Sequence, residues 1–243
     1  MGYTVNVTNA TPTRREQLRL DTTAEIKRVA LELLTEGGPD AISLRAIARE
    51  MRMTAGALYS YYATRDDLIT ALTSDMYTSL VDEVEAARDA HPADAPAARL
   101  LAWGESFRAW AIAHPAGFRL VYGDPVRGYK VPESGAAPEA ASRACAGLTG
   151  LVAAAWPLKD QGREDDYTWD DFDPGLADLV KDKFPDLPPA AVALALRTWG
   201  RMHGLVALEV YGHLRAQTKD PARLYRAELR DLARSLGFEA ESD

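Results

Sequence analysis

Hydrophobic residues recur at helical spacing along nearly the whole chain, and no stretch has the alternating pattern of a β-strand. The clearest pattern lies in residues 43–65, where Ser43 has the side chain of an N-cap. The apolar residues of the helix after it fall at i, i+3, i+4 and i+7: Leu44, Ile47, Ala48 and Met51. A tight turn at 52–54 follows, and small residues open the next helix before a cluster of tyrosines. This pattern predicts a helix-turn-helix, a motif that binds duplex DNA.

The same spacing predicts a first helix over about 14–35. Its start is ambiguous, because Thr13 with Glu16 and Thr22 with Glu25 both have capping-box spacing. A long fourth helix should begin near Thr64 and run toward residue 88. After a linker at 91–96, first-turn prolines mark the remaining helices, which we expect at about 97–114, 115–122, 138–156, 174–184, 189–214 and 221–236.

Two irregular segments interrupt these helices. Residues 123–137 are rich in glycine and proline, and residues 160–173 contain seven carboxylates. The second segment is predicted to be a solvated, mobile surface loop. Residues 1–12 have no helical pattern and are expected to be a flexible tail.

The charge is unevenly distributed along the chain. Its net charge is −8, but residues 1–65 hold nine Lys+Arg against seven Asp+Glu. A mildly basic N-terminal part on an acidic body suits a protein whose head faces phosphates. Chance variation in surface charge is the alternative.

Other chemistry is sparse in the sequence. Cys145 is the only cysteine, so disulfides within the chain and multi-cysteine zinc sites are not expected. The four histidines lack metal-ligand spacing with carboxylates, and no nucleophile or phosphate-loop motif is present. We therefore expect no enzyme activity, metal or cofactor. No run of about 20 apolar residues predicts a membrane span, and the N-terminus lacks a signal core, so a cytoplasmic protein without membrane contact is expected.

Three short helices, a long connecting helix and an all-helical body together resemble the TetR family of bacterial one-component repressors. The matching stretch is residues 14–72, and its strongest part is LRAIAREMRMTAGALYSYYATRDDLITAL. The residues that match the family's pattern are Leu44, Ala48, Gly56, Leu58, Tyr59, Tyr61, Tyr62, Arg65 and Leu68.

The body resembles the subgroup with a C-terminal Trp-x-x-x-His-Gly signature, which spans Trp199 to Gly204 here, and residues 110–126 also suit that subgroup. The resemblance implies a homodimer that grips or releases a palindromic DNA operator according to a small effector. The implied fold is all-α, with a three-helix head and a helical ligand-binding and dimerisation bundle. The expected domains are a tail at 1–12, a DNA-binding domain at 13–63, a connecting helix at 64–90 and the bundle at 91–243.

Within the head, Arg45 is predicted to pair with guanine in the major groove, which is worth about 1–3 kcal/mol of discrimination; a phosphate contact is the alternative. The third helix offers short side chains, so preference would depend on methyl contacts, water and DNA shape. Tyr59 and Tyr61 would donate to phosphates, and Arg65 would contact the DNA backbone or pair with a neighbouring aspartate. The full predicted DNA-binding set is Ser43, Arg45, Thr54, Ala55, Gly56, Ala57, Tyr59, Ser60, Tyr61 and Arg65.

Aromatic residues of the body lie at helical spacing and are expected either to form solid core or to line a cavity for a planar or hydrophobic ligand. This predicted ligand set is Trp103, Phe107, Trp110, Phe118, Tyr122 and Trp156. Ligand binding would shift the helix at 97–114 and, through the fourth helix, the separation of the two heads.

The last two helices are expected to build a four-helix dimer interface, because glycines four residues apart let a second helix approach closely. The predicted interface set is Trp199, His203, Gly204, Val206, Val210, Leu229 and Leu232. Packing of Trp199 and His203 inside one subunit is the alternative. A transcriptional activator of the same fold, a helical enzyme and a helical adaptor are the rival functions.

Overall fold

The computed structural model describes residues 13–38, 41–123, 126–156 and 166–238, and in these ranges the chain is helical with no β-strand. The all-α fold expected from the hydrophobic spacing is therefore confirmed. The α-helices of the described residues are α1 (Arg14–Gly37), α2 (Leu44–Glu50), α3 (Ala55–Tyr59), α4 (Arg65–Asp89), α5 (Pro96–Ala113), α6 (Pro115–Tyr122), α7 (Pro138–Ala155), α8 (Pro174–Lys183), α9 (Pro189–Val210) and α10 (Pro221–Ser235).

The start of α1 is fixed by a capping box. The Thr13 amide donates to Glu16 Oε2 at 2.7 Å, and the Glu16 amide donates to Thr13 Oγ1 at 3.3 Å. Thr22, the alternative cap, lies inside the helix, where its hydroxyl donates to the carbonyl of Leu18 at 2.8 Å. The first of the two candidate starts is therefore the one used.

Prolines occupy the first turn of every helix from α5 to α10, where the missing amide costs no helical hydrogen bond. The predicted helices agree with these bounds to within about two residues, with one exception. The helix expected to reach residue 214 ends at Val210, because Gly212 adopts φ 81° and the His213 amide bonds back to the carbonyl of Leu208. A left-handed glycine closes a helix in this way.

Two predicted segments fall largely outside the described residues: the tail at 1–12 and positions 160–165 of the carboxylate-rich segment. Further along that segment, Trp169–Asp171 forms a short 3-10 helix that the sequence pattern did not predict. It is held by the Asp171 carboxylate, which accepts from the Thr168 amide at 2.7 Å.

The described residues form two compact units. The first holds residues 13–38, 41–72 and 126–130, and the second holds the rest, so the division falls inside α4. The domain boundaries expected at residues 63 and 90 are functional ones, and this division does not test them.

The core of the first unit joins α1 to the three helices after it. Ile26, Ile47, Leu58 and Leu68 are each fully buried. They come from α1, α2, α3 and α4, so the short helices α2 and α3 owe their stability to tertiary packing rather than to their own length.

The core of the second unit is built mainly from α5, α7, α9 and α10. Helices α5 and α10 approach closely, since a Cβ on Gly104 would lie 2.5 Å from Leu229 Cδ2. Only glycine permits this spacing, and the side chain of Leu229 fills the space beside it.

Candidate DNA-binding surface and internal cavity

The turn between α2 and α3 is tight and conformationally unusual. The Met53 amide donates to the carbonyl of Ala48 at 2.8 Å, and Arg52 adopts φ 53°. Among the described residues Arg52 is the one non-glycine residue with positive φ. This left-handed position closes α2 and directs the chain into α3, as a helix-turn-helix requires.

Short side chains form the exposed tip of α3. Thr54 caps the helix by accepting from the Ala57 amide at 3.2 Å. Ala55 and Gly56 are exposed, whereas Leu58 on the opposite face is fully buried in the head. The tip of α3 is therefore held in place on its buried face, and its opposite face is exposed.

The other predicted DNA-binding residues surround this tip with different local roles. Arg45 in the first turn of α2 is exposed, and so is Tyr59, at 46%. The hydroxyl of Ser43 accepts from the Ala46 amide at 3.1 Å, and that of Ser60 donates to the carbonyl of Ala57 at 2.7 Å. Both serine hydroxyls therefore already serve the ends of their own helices.

Tyr61 is partly covered by a basic residue of α1. The guanidinium of Arg19 lies 4.9 Å from the centroid of its ring and donates to the carbonyl of Ser60 at 3.2 Å. This cation–π contact holds the end of α3 against α1 and sets the position of the Tyr61 ring.

Arg65 donates hydrogen bonds to two main-chain carbonyls within the first unit. Its Nε donates to the carbonyl of Ile42 at 2.7 Å, and its Nη1 donates to that of Arg127 at 3.1 Å. Of the two aspartates that follow it, Asp66 accepts from the Lys130 amide at 3.1 Å, while Asp67 caps α4 through the Thr64 amide at 2.9 Å.

The second unit contains a partly open cavity of about 200 Å³. Three of the six predicted ligand residues line it: Trp103, Phe107 and Tyr122. The other lining residues are Tyr77, Leu80, Val81, Val84, Ala141, Ala144, Cys145, Leu148, Thr149, Leu176, Val192, Ala195, Leu196 and Trp199.

The wall of the cavity that α7 contributes was not predicted from the sequence. Ala141, Ala144, Cys145 and Leu148 recur at i, i+3, i+4 and i+7, which is a helical stripe like the others. A stripe of small residues facing bulky aromatics was a signal for a cavity, because the small side chains leave the space unfilled.

The remaining predicted ligand residues do not line this cavity. Phe118 is fully buried in the core, and Trp110 is 1% exposed with its indole N–H donating to Ser79 Oγ at 3.1 Å. Trp156 packs against a smaller apolar cluster around Val180 and Leu187. Phe118 and Trp110 are therefore solid core, one of the two alternatives, whereas Trp156 is half-buried.

His203 lies beside the cavity within a group of aromatic rings. Its ring stacks on Phe118 at 5.4 Å between centroids and contacts Tyr122 at 5.0 Å and Trp199 at 5.5 Å. Burial lowers the pKa of His203 below its usual value, and in the described part of the chain its Nε2 has no hydrogen-bond partner.

Four residues of the expected dimer interface are core residues of a single chain. Val206 and Leu229 are fully buried, Leu232 is 2% exposed and Val210 is 9% exposed. These four side chains pack within the single chain, and their part in a dimer interface stays a prediction. Trp199 and Gly204 remain exposed, and His203 is half-buried.

Two kinds of feature are absent from the described residues. They contain no group of three or more histidine, cysteine or acidic residues placed to hold a metal ion. None of the helices there is long and apolar enough to cross a membrane.

Two family models match the chain. Residues 26–72 match the model described as bacterial regulatory proteins, tetR family, and residues 100–232 match the tetracyclin repressor-like C-terminal domain. The first match covers most of the helix-turn-helix unit, and the second covers most of the unit that holds the cavity.

Known proteins resemble the chain over nearly its full length. The HTH-type transcriptional regulator Rv1816 of Mycobacterium tuberculosis is 32% identical over 222 residues, covering 89% of this chain and 93% of that protein. The crystal structure of the regulatory protein SCO4313 is 33% identical with a TM-score of 0.71, covering 91% of this chain and 98% of that one. A tetR-family regulatory protein from Rhodococcus RHA1 shares the fold at 20% identity and a TM-score of 0.64, covering 90% and 98%.

Proposed function

The chain belongs to the TetR family of helix-turn-helix transcriptional regulators, and from that premise we propose that it is a repressor whose homodimer binds a palindromic operator and is released by a small molecule. DNA binding and transcription regulation are properties of the family. The symmetry of the operator, the repressor role and the release by a ligand are the parts that we propose.

The observation that carries this proposal is the exposed tip of α3. Ala55 and Gly56 are exposed while Leu58 anchors the helix from the other side, and nothing lies within 4 Å of a Cβ built on Gly56. A major groove about 12 Å wide admits an α-helix. Small side chains let the helical backbone approach the base edges closely.

Base recognition then falls mainly to Arg45. It is exposed in the first turn of α2, and its guanidinium can form two parallel hydrogen bonds to guanine. Tyr59 is proposed to donate its hydroxyl to a phosphate, since nearly half of its surface is exposed. Ser43 and Ser60 are assigned to capping and Arg65 to holding the head together, because their hydrogen bonds are made within the chain.

Dimerisation is proposed to use the exposed face of α9 and the turn after it. Large apolar side chains that are more than two-fifths exposed lie along this face: Leu196, Trp199, Leu208 and Tyr211. Nothing lies within 4 Å of a Cβ built on Gly200 or Gly204, so a helix of a second copy could pack closely there. A two-fold axis at this face would pair two heads with two half-sites.

The cavity in the second unit is the proposed effector site. Trp103, Phe107 and Tyr122 were expected to contact a ligand and line it together. We also assign the chain to the Trp-x-x-x-His-Gly subgroup, since Trp199 and His203 of that signature contact each other at 5.5 Å beside this cavity.

An activator of the same fold is the second candidate, because nothing in the chain specifies where an operator lies relative to a promoter. The family relationship favours regulation over catalysis. A cytoplasmic location follows from the proposal itself, since the operator is there.

Selection of bound duplexes from a random DNA pool tests the proposal directly. We expect an inverted repeat whose half-sites are about one helical turn apart, or a multiple of it. Affinity should fall steeply with salt, with a log–log slope near −0.9 for each neutralised phosphate. Recovery of no enriched sequence, or of a single unrepeated half-site, would contradict the palindromic operator.

A further inference from the structure

The walls of the cavity carry no formal charge. Among the described residues that line it there is no aspartate, glutamate, lysine, arginine or histidine. A charged group placed inside would lose its hydration without gaining an ionic partner, which costs several kcal/mol. The cavity therefore selects against carboxylates, phosphates and ammonium groups.

A pair of phenol hydroxyls provides the main polar feature of the wall. Tyr77 and Tyr122 both line the cavity, and their rings meet edge to face with 5.8 Å between the centroids. Burial raises the pKa of both phenols, so both hydroxyls stay protonated near neutral pH. Each phenol hydroxyl has one proton that it can donate to a ligand oxygen.

The other polar side-chain groups of the wall are the hydroxyl of Thr149, the thiol of Cys145 and the indole N–H groups of Trp103 and Trp199. Thr149 is 2% exposed. Burial raises the pKa of Cys145, so the thiol is protonated and behaves as a small apolar group. The tyrosine pair therefore places two phenol hydroxyls close together in a wall that is otherwise mainly apolar.

The size of the cavity limits the ligand further. In another protein, an apolar cavity of about 150 Å³ stays dry and binds benzene. A cavity of about 200 Å³ is somewhat larger, and its rings of Trp103 and Phe107 offer flat apolar walls. This matches one ring or two fused rings with few substituents.

We propose that the cavity binds an uncharged one- or two-ring compound bearing one oxygen acceptor, which receives a hydrogen bond from the Tyr77–Tyr122 hydroxyl pair. The inference rests on the proposed function only in taking this ligand to be the effector. The binding site and the ligand chemistry depend on the cavity alone and are testable without DNA.

The single cysteine of the chain provides the readout. Cys145 lines the cavity, so the rate at which N-ethylmaleimide labels it, followed by intact mass, reports whether the cavity is occupied. The probes are 2-naphthol, which is neutral and has one hydroxyl, naphthalene, which has none, and 2-naphthoate, which is charged. We expect 2-naphthol to slow labelling and raise the melting temperature, naphthalene to do so more weakly, and 2-naphthoate to do neither.

The tyrosine pair is tested by the double variant Tyr77→Phe/Tyr122→Phe, since either phenol alone would keep one hydroxyl. Its affinity for 2-naphthol should fall about fivefold to tenfold, the contribution of one hydrogen bond, while its affinity for naphthalene stays the same. Tyr225→Phe is the matched control, because it removes a buried hydroxyl of the same unit that does not line this cavity. It should leave both affinities unchanged.

Three outcomes would overturn the inference: 2-naphthoate protecting Cys145 as well as 2-naphthol does, the double variant binding 2-naphthol normally, or no probe protecting the thiol. Operator release is scored separately. Binding of 2-naphthol in the cavity without any effect on DNA would leave the site and its chemistry in place and contradict the effector role in the proposed function.

Discussion

Arg65 Nε lies 2.7 Å from the main-chain carbonyl oxygen of Ile42 and donates a hydrogen bond to it. Ile42 is 1% exposed and lies just before α2. The same guanidinium donates to Arg127 in the segment 126–130. One cation at the start of α4 thus fixes the entry to the helix-turn-helix and a segment distant in sequence.

Replacing Arg65 by alanine should therefore loosen the head. Two charge-assisted hydrogen bonds are lost, one of them to the partly buried carbonyl of Ile42, so the free energy of unfolding of this unit should fall by about 1–3 kcal/mol. Amide hydrogen exchange in α2 and the start of α4 should accelerate, and operator affinity should fall for all sequences alike. Arg65→Lys should be intermediate, since a single ammonium cannot reproduce the planar fork.

Arg49→Ala is the control, because it removes an exposed arginine of α2. It should leave hydrogen exchange unchanged. Normal exchange in Arg65→Ala together with weaker operator binding would instead assign Arg65 to a phosphate.

Arg65 also illustrates where sequence-based prediction stops. The position of a cation at the start of a helix is visible in the sequence, but its acceptors lie 23 and 62 residues away, and local spacing carries no information about them. The helices were predictable because hydrophobic spacing and proline positions are local signals. The end of α9 depended on the left-handed Gly212, which a pattern of apolar residues does not register.

The sequence likewise did not show that the apolar stripe of the predicted interface is covered within one chain. Periodicity identified the apolar stripe containing Val206 and Leu229, but a stripe does not state which surface covers it. Both residues are fully buried within one chain. The cavity was predicted in part, because aromatic residues are conspicuous, whereas the small residues of α7 that create the space are not.

Arg45→Ala should relax sequence preference at one base pair in each half-site. The expected loss is about 1–3 kcal/mol on the preferred base and much less on substituted operators, measured by titrating operator variants. Arg49→Ala, on the same helix, should weaken all variants equally or not at all. Uniform weakening by Arg45→Ala would show that its contact is to a phosphate.

Arg52→Gly should stabilise the head. Arg52 holds φ 53°, a conformation that costs a residue with a side chain about 1–2 kcal/mol. Part of the gain is offset by the larger entropy of glycine in the unfolded chain, so we expect a net increase of about 0.5–1 kcal/mol in thermal or urea unfolding. Arg52→Ala removes the same charge without relieving the backbone, and it should not stabilise; equal stabilities of the two variants would contradict the strain.

Acidification should destabilise the second unit through His203. Because burial lowers its pKa, the folded chain binds fewer protons than the unfolded chain. The free energy that His203 contributes to folding is complete above the ordinary histidine pKa of about 6.5. It decreases as the pH falls from there toward the lower pKa of the folded chain, by at most about 1.4 kcal/mol per pH unit. Urea unfolding between pH 5 and 7.5 measures this loss.

His203→Gln has no titrating ring, so its profile over this range should be flatter than that of the parent protein. The parent and the variant would have parallel profiles if other groups caused the pH dependence. The comparison is between slopes, so a uniform loss of stability in the variant does not affect it.

Gly204→Leu should prevent dimerisation without disturbing the fold of the single chain. Gly204 is exposed, and nothing lies within 4 Å of a Cβ built there, so leucine fits the single chain and favours the helix by up to about 1 kcal/mol. If a second copy packs on this face of α9, the added side chain occupies the space of its helix. Sedimentation velocity should then show monomers at concentrations where the parent protein is dimeric, with no loss of helicity.

Ala154→Leu is the matched control, since it adds the same side chain at an exposed position of α7 and should leave the dimer intact. An unchanged dimer in Gly204→Leu would place the interface elsewhere.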